Sequence, residues 1–292
     1  MSHTLAKQDS GEFQITFTVD QKTIKDYYQK ALEKVSADVT VPGFRKGKAP
    51  LNKVEKQVDT MVVSEEAVNQ MLPEMYAKAL HEYKLNPIVP PQVRVVSMEE
   101  GQDWQFEATA CEAPEVDLKD SLKGVKGLLK KSEIWTPDSG KDEKAAEGEN
   151  QAANEEKQIE KILEYLMEQT EVSLPDILIK QETDKLMAQL LDQLEKLGLN
   201  LDQYLASTGK TAEGLRESYT KRATETLKIE FILAEITVDQ KIEVTDEEIQ
   251  GLIDVTPDED MRKEFDRPQA KAYLRASLLK RKAVEWLLSE AK

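Results

Sequence analysis

The residues best suited to chemistry in this 292-residue chain crowd into positions 41–50, where Phe44 and three cations, Arg45, Lys46 and Lys48, sit among two glycines and two prolines. Prolines fix φ and glycines permit positive φ, so the stretch is predicted to be an ordered loop of defined shape. Its chemistry is that of binding. Arg45 can make a planar two-point pair with a carboxylate or phosphate, and Lys46 adds a point charge. Phe44 can fill an apolar notch on a partner, and Gly43 and Gly47 allow the backbone to approach closely. The spacing rejects a phosphate loop, which needs four residues between its glycines and Ser or Thr after the lysine; here three intervene and Ala49 follows Lys48. The tip is expected to dock onto something large and negatively charged.

Elsewhere the residues offer little to catalysis. His3 and His81 are the two histidines, one in a predicted tail and one at a helix end, and neither suggests a metal site or an acid–base pair. Cys111 has no histidine or second cysteine near it in sequence and reads as a small core residue. The many carboxylates suit solvated helix faces. No catalytic residue, cofactor or metal is expected, and the chain is read as a non-enzyme. A net charge of −16 excludes general nucleic-acid affinity, so a basic site must be local. One cysteine fits a reducing compartment. No apolar h-region opens the chain and no stretch reaches the roughly 20 apolar residues of a membrane span, so a cytoplasmic protein with no membrane partner is expected.

The elements that must position the loop follow from periodicity. Phe13, Ile15, Phe17 and Val19 alternate with polar residues as in a half-buried strand. Ile24, Tyr27, Tyr28, Ala31, Leu32 and Val35 form a helical stripe. A short helix follows the loop, and a longer one over 60–84 contains Pro73. Val93 and Val95, then Trp104, Phe106 and Ala108, read as a hairpin. Residues 1–116 are thus predicted to form an α+β domain in the order β-α-α-β-β, with the loop between its helices. Residues 138–160 hold eight acidic residues and three lysines, too little apolar surface to offset their ordering entropy. Residues 117–153 are therefore read as an acidic flexible linker, with Ile134 and Trp135 a docking point or incidental. Residues 154–292 read as an all-α domain of long helices, with Asn200, Thr211 and Thr245 as caps.

Gly43-Phe44-Arg45-Lys46-Gly47-Lys48-Ala49-Pro50 resembles the ribosome-docking signature of the trigger factor family, bacterial chaperones of nascent chains. The β-α-α-β-β layout is similar to that family's ribosome-binding domain. Val172-Ser173-Leu174-Pro175 opening a long helix, and Tyr204-Leu205 before Thr208-Gly209-Lys210-Thr211, resemble its helical chaperone domain. The resemblance implies that Gly43, Phe44, Arg45, Lys46, Gly47 and Lys48 contact protein and rRNA of the large ribosomal subunit beside the exit tunnel. It also implies that helical arms hold unfolded nascent polypeptides without ATP, with Met167, Met187, Leu191, Tyr204 and Ile232 as client-binding candidates. Such a stripe at helical spacing is more often core. Family members usually carry an FKBP-like prolyl isomerase domain in the middle; here the acidic segment takes its place, so a form lacking isomerase activity is expected. A homodimer off the ribosome is left open, and the alternative is an adaptor or scaffold whose basic loop binds another acidic partner.

Overall fold

A computed structural model of the chain describes residues 2–99, 101–118, 121–129 and 147–292, with backbone alone over 147–153. The chain divides into two units, one comprising Met1–Ala113 with Pro175–Leu178, the other Pro114–Leu174 with Ile179–Lys292.

In the first unit the residues with a period-2 pattern form strands, although Val93 and Val95 stay exposed on theirs. Strands β1 (Ser2–Lys7), β2 (Glu12–Val19), β3 (Gln92–Ser97) and β4 (Trp104–Cys111) form one antiparallel sheet in the order β1-β2-β4-β3. Phe17 lies opposite Phe106 and Ile15 opposite Ala108, so the apolar sets of β2 and β4 share one face. That face is covered by α1 (Gln21–Asp38) and α3 (Thr60–Tyr83), through Ile24, Met71, Met75 and Ala79. Burial of this face is the main stabilising contribution in the unit. Asp20 caps α1 by accepting from the Thr23 amide at 2.9 Å.

The order gains a first strand that periodicity did not reveal. Residues 2–7 pair with β2, and His3, read as part of a tail, lies with its ring edge-on to Tyr83 at 5.3 Å. Only Leu5 supplies a bulky aliphatic side chain there, so backbone pairing rather than an apolar pattern defines the strand.

In the second unit the described helices are α4 (Ser121–Val125), α5 (Glu147–Gln169), α6 (Asp176–Lys196, counted here from Ile179), α7 (Leu201–Thr208), α8 (Ala212–Asp239), α9 (Asp246–Asp254), α10 (Glu259–Phe265) and α11 (Pro268–Ala291). Sequence caps hold: Thr211 accepts from the Gly214 amide, and Asn200 and Thr245 each form a reciprocal capping box. Among the described residues, three apolar clusters help organise these helices. The largest joins Ile162 and Leu166 of α5 with Ile232 and Ile236 of α8 and Leu287 of α11. Leu190, Leu194 and Leu215 centre the second; Val244, Ile249 and Ile253 centre the third.

The linker read over 117–153 is structured at both ends. Leu118, Val125 and Leu129 are buried in the largest cluster, and α5 starts at Glu147. The buried Thr170 hydroxyl donates to Ser121 Oγ at 2.9 Å, and Ser121 donates to the Gln169 carbonyl, tying α4 to the end of α5. Those leucines and Val125 have enough apolar surface to be drawn into the core, which the acidic composition further along conceals. Residues 130–146, with Ile134 and Trp135, lie outside the described residues.

Candidate docking site

The tip at 41–50 is held from beneath by its own apolar cluster. Ala31 and Leu32 of α1, Val54 of α2 (Leu51–Val54), and Val63 and Ala67 of α3 enclose Val41. The two long helices are braced by Lys34, which donates to Glu66 at 2.6 Å; this contact holds the Glu66 carboxyl below its usual range, helped by a bond from Gln70. Tyr27 donates its hydroxyl to Glu74 at 2.6 Å across the same pair of helices.

Above this base the backbone makes two successive turns. The Phe44 amide donates to the Val41 carbonyl at 3.0 Å, and the Lys48 amide donates to the Arg45 carbonyl at 2.9 Å. Both turns use left-handed glycines, Gly43 at φ +86° and Gly47 at φ +72°. The two glycines differ in surroundings. Open space surrounds Gly43, whereas a Cβ on Gly47 would lie 3.0 Å from the Ala37 carbonyl oxygen. Gly47 therefore both permits the turn and lets the loop close onto the end of α1.

The side chains point to solvent. Phe44 is 41% exposed, although a phenyl ring gains by burial. Arg45, Lys46 and Lys48 are exposed beside it. Lys46 lies 3.2 Å from Asp38, the last residue of α1, while among the described residues Arg45 and Lys48 form no ion pair. The structure thus gathers all six sequence-predicted tip residues onto one exposed turn pair. The partner of Lys46 was not read from the sequence.

The five client-binding candidates scatter. Ile232 is 1% exposed and packs in the largest helical cluster, so it has no surface to offer a client. Met187 and Tyr204 pack half-buried around Leu190, Leu194 and Leu215. Met167 is half-buried, and its carbonyl accepts from Lys228 at 2.7 Å. Leu191 alone of the five is exposed, at 45%. Other bulky apolar side chains reach solvent without having been singled out, among them Leu197, Val255, Met261 and Tyr273. Their signal in sequence is weak: Leu197 and Val255 directly follow helix ends, Met261 is on the short α10, and Tyr273 on α11 sits beside Leu274 in an apolar stretch that reads as core.

The residues considered for catalysis are placed accordingly. Cys111 is buried in β4, and burial pushes its thiol up to about 11, well away from thiolate chemistry at neutral pH. His81 ends α3. Among the described residues no group of His, Cys, Asp and Glu is arranged to hold a metal ion, and no helix is long and apolar enough to cross a membrane.

The architecture, an antiparallel sheet with covering helices followed by a helical unit, matches the fold of a solved trigger factor chaperone described for promiscuous substrate recognition in folding and assembly. The match has a TM-score of 0.65 and 16% identity, and covers 100% of both chains. Two family models match the sequence: "Bacterial trigger factor protein (TF)" over residues 1–139 and "Bacterial trigger factor protein (TF) C-terminus" over residues 141–289. The chain belongs to the bacterial trigger factor family. Only residue 140 separates the two matched regions, so there is no room between them for a further domain. The trigger factor of Natranaerobius thermophilus is 35% identical over 138 residues, covering 47% of this chain and 31% of the relative. That of Staphylococcus epidermidis is 38% identical over 125 residues, covering 43% of this chain and 29% of the relative. The chain thus spans less than a third of the length of these two relatives.

Proposed function

We propose that this chain is an ATP-independent cytoplasmic chaperone that docks on the large ribosomal subunit through residues 43–48 and shields nascent polypeptides. The observation that carries the docking is the tip itself: an exposed Phe44 beside an Arg45 without an ion-pair partner among the described residues, on a glycine-shaped turn pair braced by a dedicated apolar cluster. A solvated loop needs neither the aromatic nor the brace. With a net charge of −16, the rest of the molecule is repelled by rRNA, so contact through the tip also orients it.

Client holding falls to apolar side chains left in solvent, including Leu191, Leu197, Val255, Met261 and Tyr273 in the helical unit. Scattered apolar contacts suit clients of varied sequence, since none needs a fixed pose. Binding and release are read as running on affinity alone, a reading supported at the tip by the absence of phosphate-loop spacing. This reading includes no prolyl isomerase activity; the adjoining N-terminal and C-terminal family regions, with residue 140 alone between them, support it.

Light scattering of a denatured client tests the holding activity. The chain at a severalfold excess should suppress aggregation without ATP. An unchanged aggregation curve contradicts the chaperone reading and leaves an adaptor that uses the tip alone.

A further inference from the structure

We propose that Asp38 is a built-in electrostatic brake on the docking tip: it holds Lys46 in an internal ion pair that an incoming RNA phosphate must displace. The inference rests on the docking reading above and concerns how strongly the tip binds.

Three observations carry it. Lys46 Nζ lies 3.2 Å from Asp38 Oδ1, and both ends are solvent-facing, at 59% and 86% side-chain exposure. The pair is therefore open to competition from outside. Asp38 also stands where a negative charge does α1 no service: it is the last residue of the helix, at the negative end of the dipole, and no basic residue occupies that last turn. Helix stability thus does not account for an acid there. Finally, the close approach of Gly47 to the Ala37 carbonyl seats the tip on the end of α1 and keeps Lys46 within reach of the next residue, Asp38.

The consequence is a division between neighbouring cations. Arg45, with no ion-pair partner among the described residues, makes the first anionic contact at full charge. Lys46 contributes only after exchanging a carboxylate for a phosphate, so its gain is the difference between two ion pairs rather than the whole of one. Docking is thereby weakened and kept reversible, as a factor that must leave each chain requires. The brake is electrostatic, so it fades as salt rises.

A mutant cycle on the full chain tests this, with dissociation constants for purified ribosomes measured across a salt series for the wild type, Asp38→Asn, Lys46→Ala and the double variant. Asp38→Asn is expected to bind about two- to fivefold tighter at low salt, the range of an exposed pair, without a lower melting temperature. Its log–log salt slope should steepen by up to about 0.7–0.9, one more neutralised phosphate. Tightening should vanish when Lys46 is already Ala. Equal affinities of wild type and Asp38→Asn, equal tightening in the Lys46→Ala background, or tightening independent of salt would each overturn the brake. Failure of the docking reading looks different: ribosome binding would then persist when Phe44, Arg45 and Lys46 are all Ala.

Discussion

The tip at 41–50 and the helical unit both leave apolar side chains in solvent, but they do so in opposite ways. At the tip one aromatic is displayed by a backbone whose turns, glycines and supporting cluster leave it little choice. In the helical unit Leu191, Leu197, Val255, Met261 and Tyr273 are spread over several helices, with no shared turn and no common brace. A single partner of fixed shape calls for the first arrangement; clients of every sequence call for the second. Specific and promiscuous binding differ here in how far the backbone fixes the contact, more than in which residue types make it.

The largest effect that can test this contrast comes from exchanging core and surface within the helical unit. Ile232→Ala empties part of a packed cluster and should destabilise the unit by about 2–5 kcal/mol in thermal or urea unfolding. Leu191→Ala, on an exposed position, should leave stability within about 0.5 kcal/mol while reducing suppression of client aggregation. If Leu191→Ala unfolds the unit, or Ile232→Ala leaves it intact, the division between core and client surface drawn here is wrong.

A smaller effect is expected at the tip. Gly47→Ala meets both an unfavourable φ and the Ala37 carbonyl, so it should weaken ribosome affinity and cost about 2 kcal/mol in the loop. Gly43→Ala meets only the φ strain and should cost about 1 kcal/mol. Equal losses in affinity would mean that seating the tip on α1 is immaterial.

The smallest effects are electrostatic and separate the two units by pH. Glu112 is held below the usual carboxylate range by its bond from Lys7 at 2.5 Å and by the Asn86 amide. Glu248 is likewise lowered, first by Lys282 and then by the Thr245 amide. A depressed folded-state pKa contributes stability that is fully present above the unfolded value, about 4.3, and is lost as pH falls through the folded value. Glu112→Gln should therefore lower the melting temperature slightly at pH 7, and by progressively less as pH falls below about 4.3, in the sheet unit; Glu248→Gln should do so in the helical unit. A deficit that is unchanged at pH 3 would show that packing, not charge, was lost.

Much of this was legible in the chain. Strands β2 and β4 show strict alternation, and α8 and α9 announce their starts with Thr211 and Thr245, because both signals arise from neighbours in sequence. The tip was legible for the same reason, its shape-setting prolines and glycines being contiguous. Strand β1 was missed because its stability comes from pairing with β2. The buried ends of the supposed linker were missed because Leu118, Val125 and Leu129 were averaged with acidic neighbours. Ile232 was misplaced because a core stripe and a client-binding stripe use the same residues at the same spacing. The ion pair of Lys46 with Asp38 joins the end of α1 to a residue within the second turn, and no periodicity encodes that.

The docking claim is tested most directly by co-sedimentation with ribosomes of the wild type against a variant in which Phe44, Arg45 and Lys46 are all changed to Ala. All three are exposed and lie outside the supporting cluster, so the variant should keep its circular dichroism and melting temperature. The wild type should pellet with ribosomes at low salt, and the variant should stay in the supernatant. Undiminished sedimentation of a folded variant would contradict the assignment of the tip as the docking site.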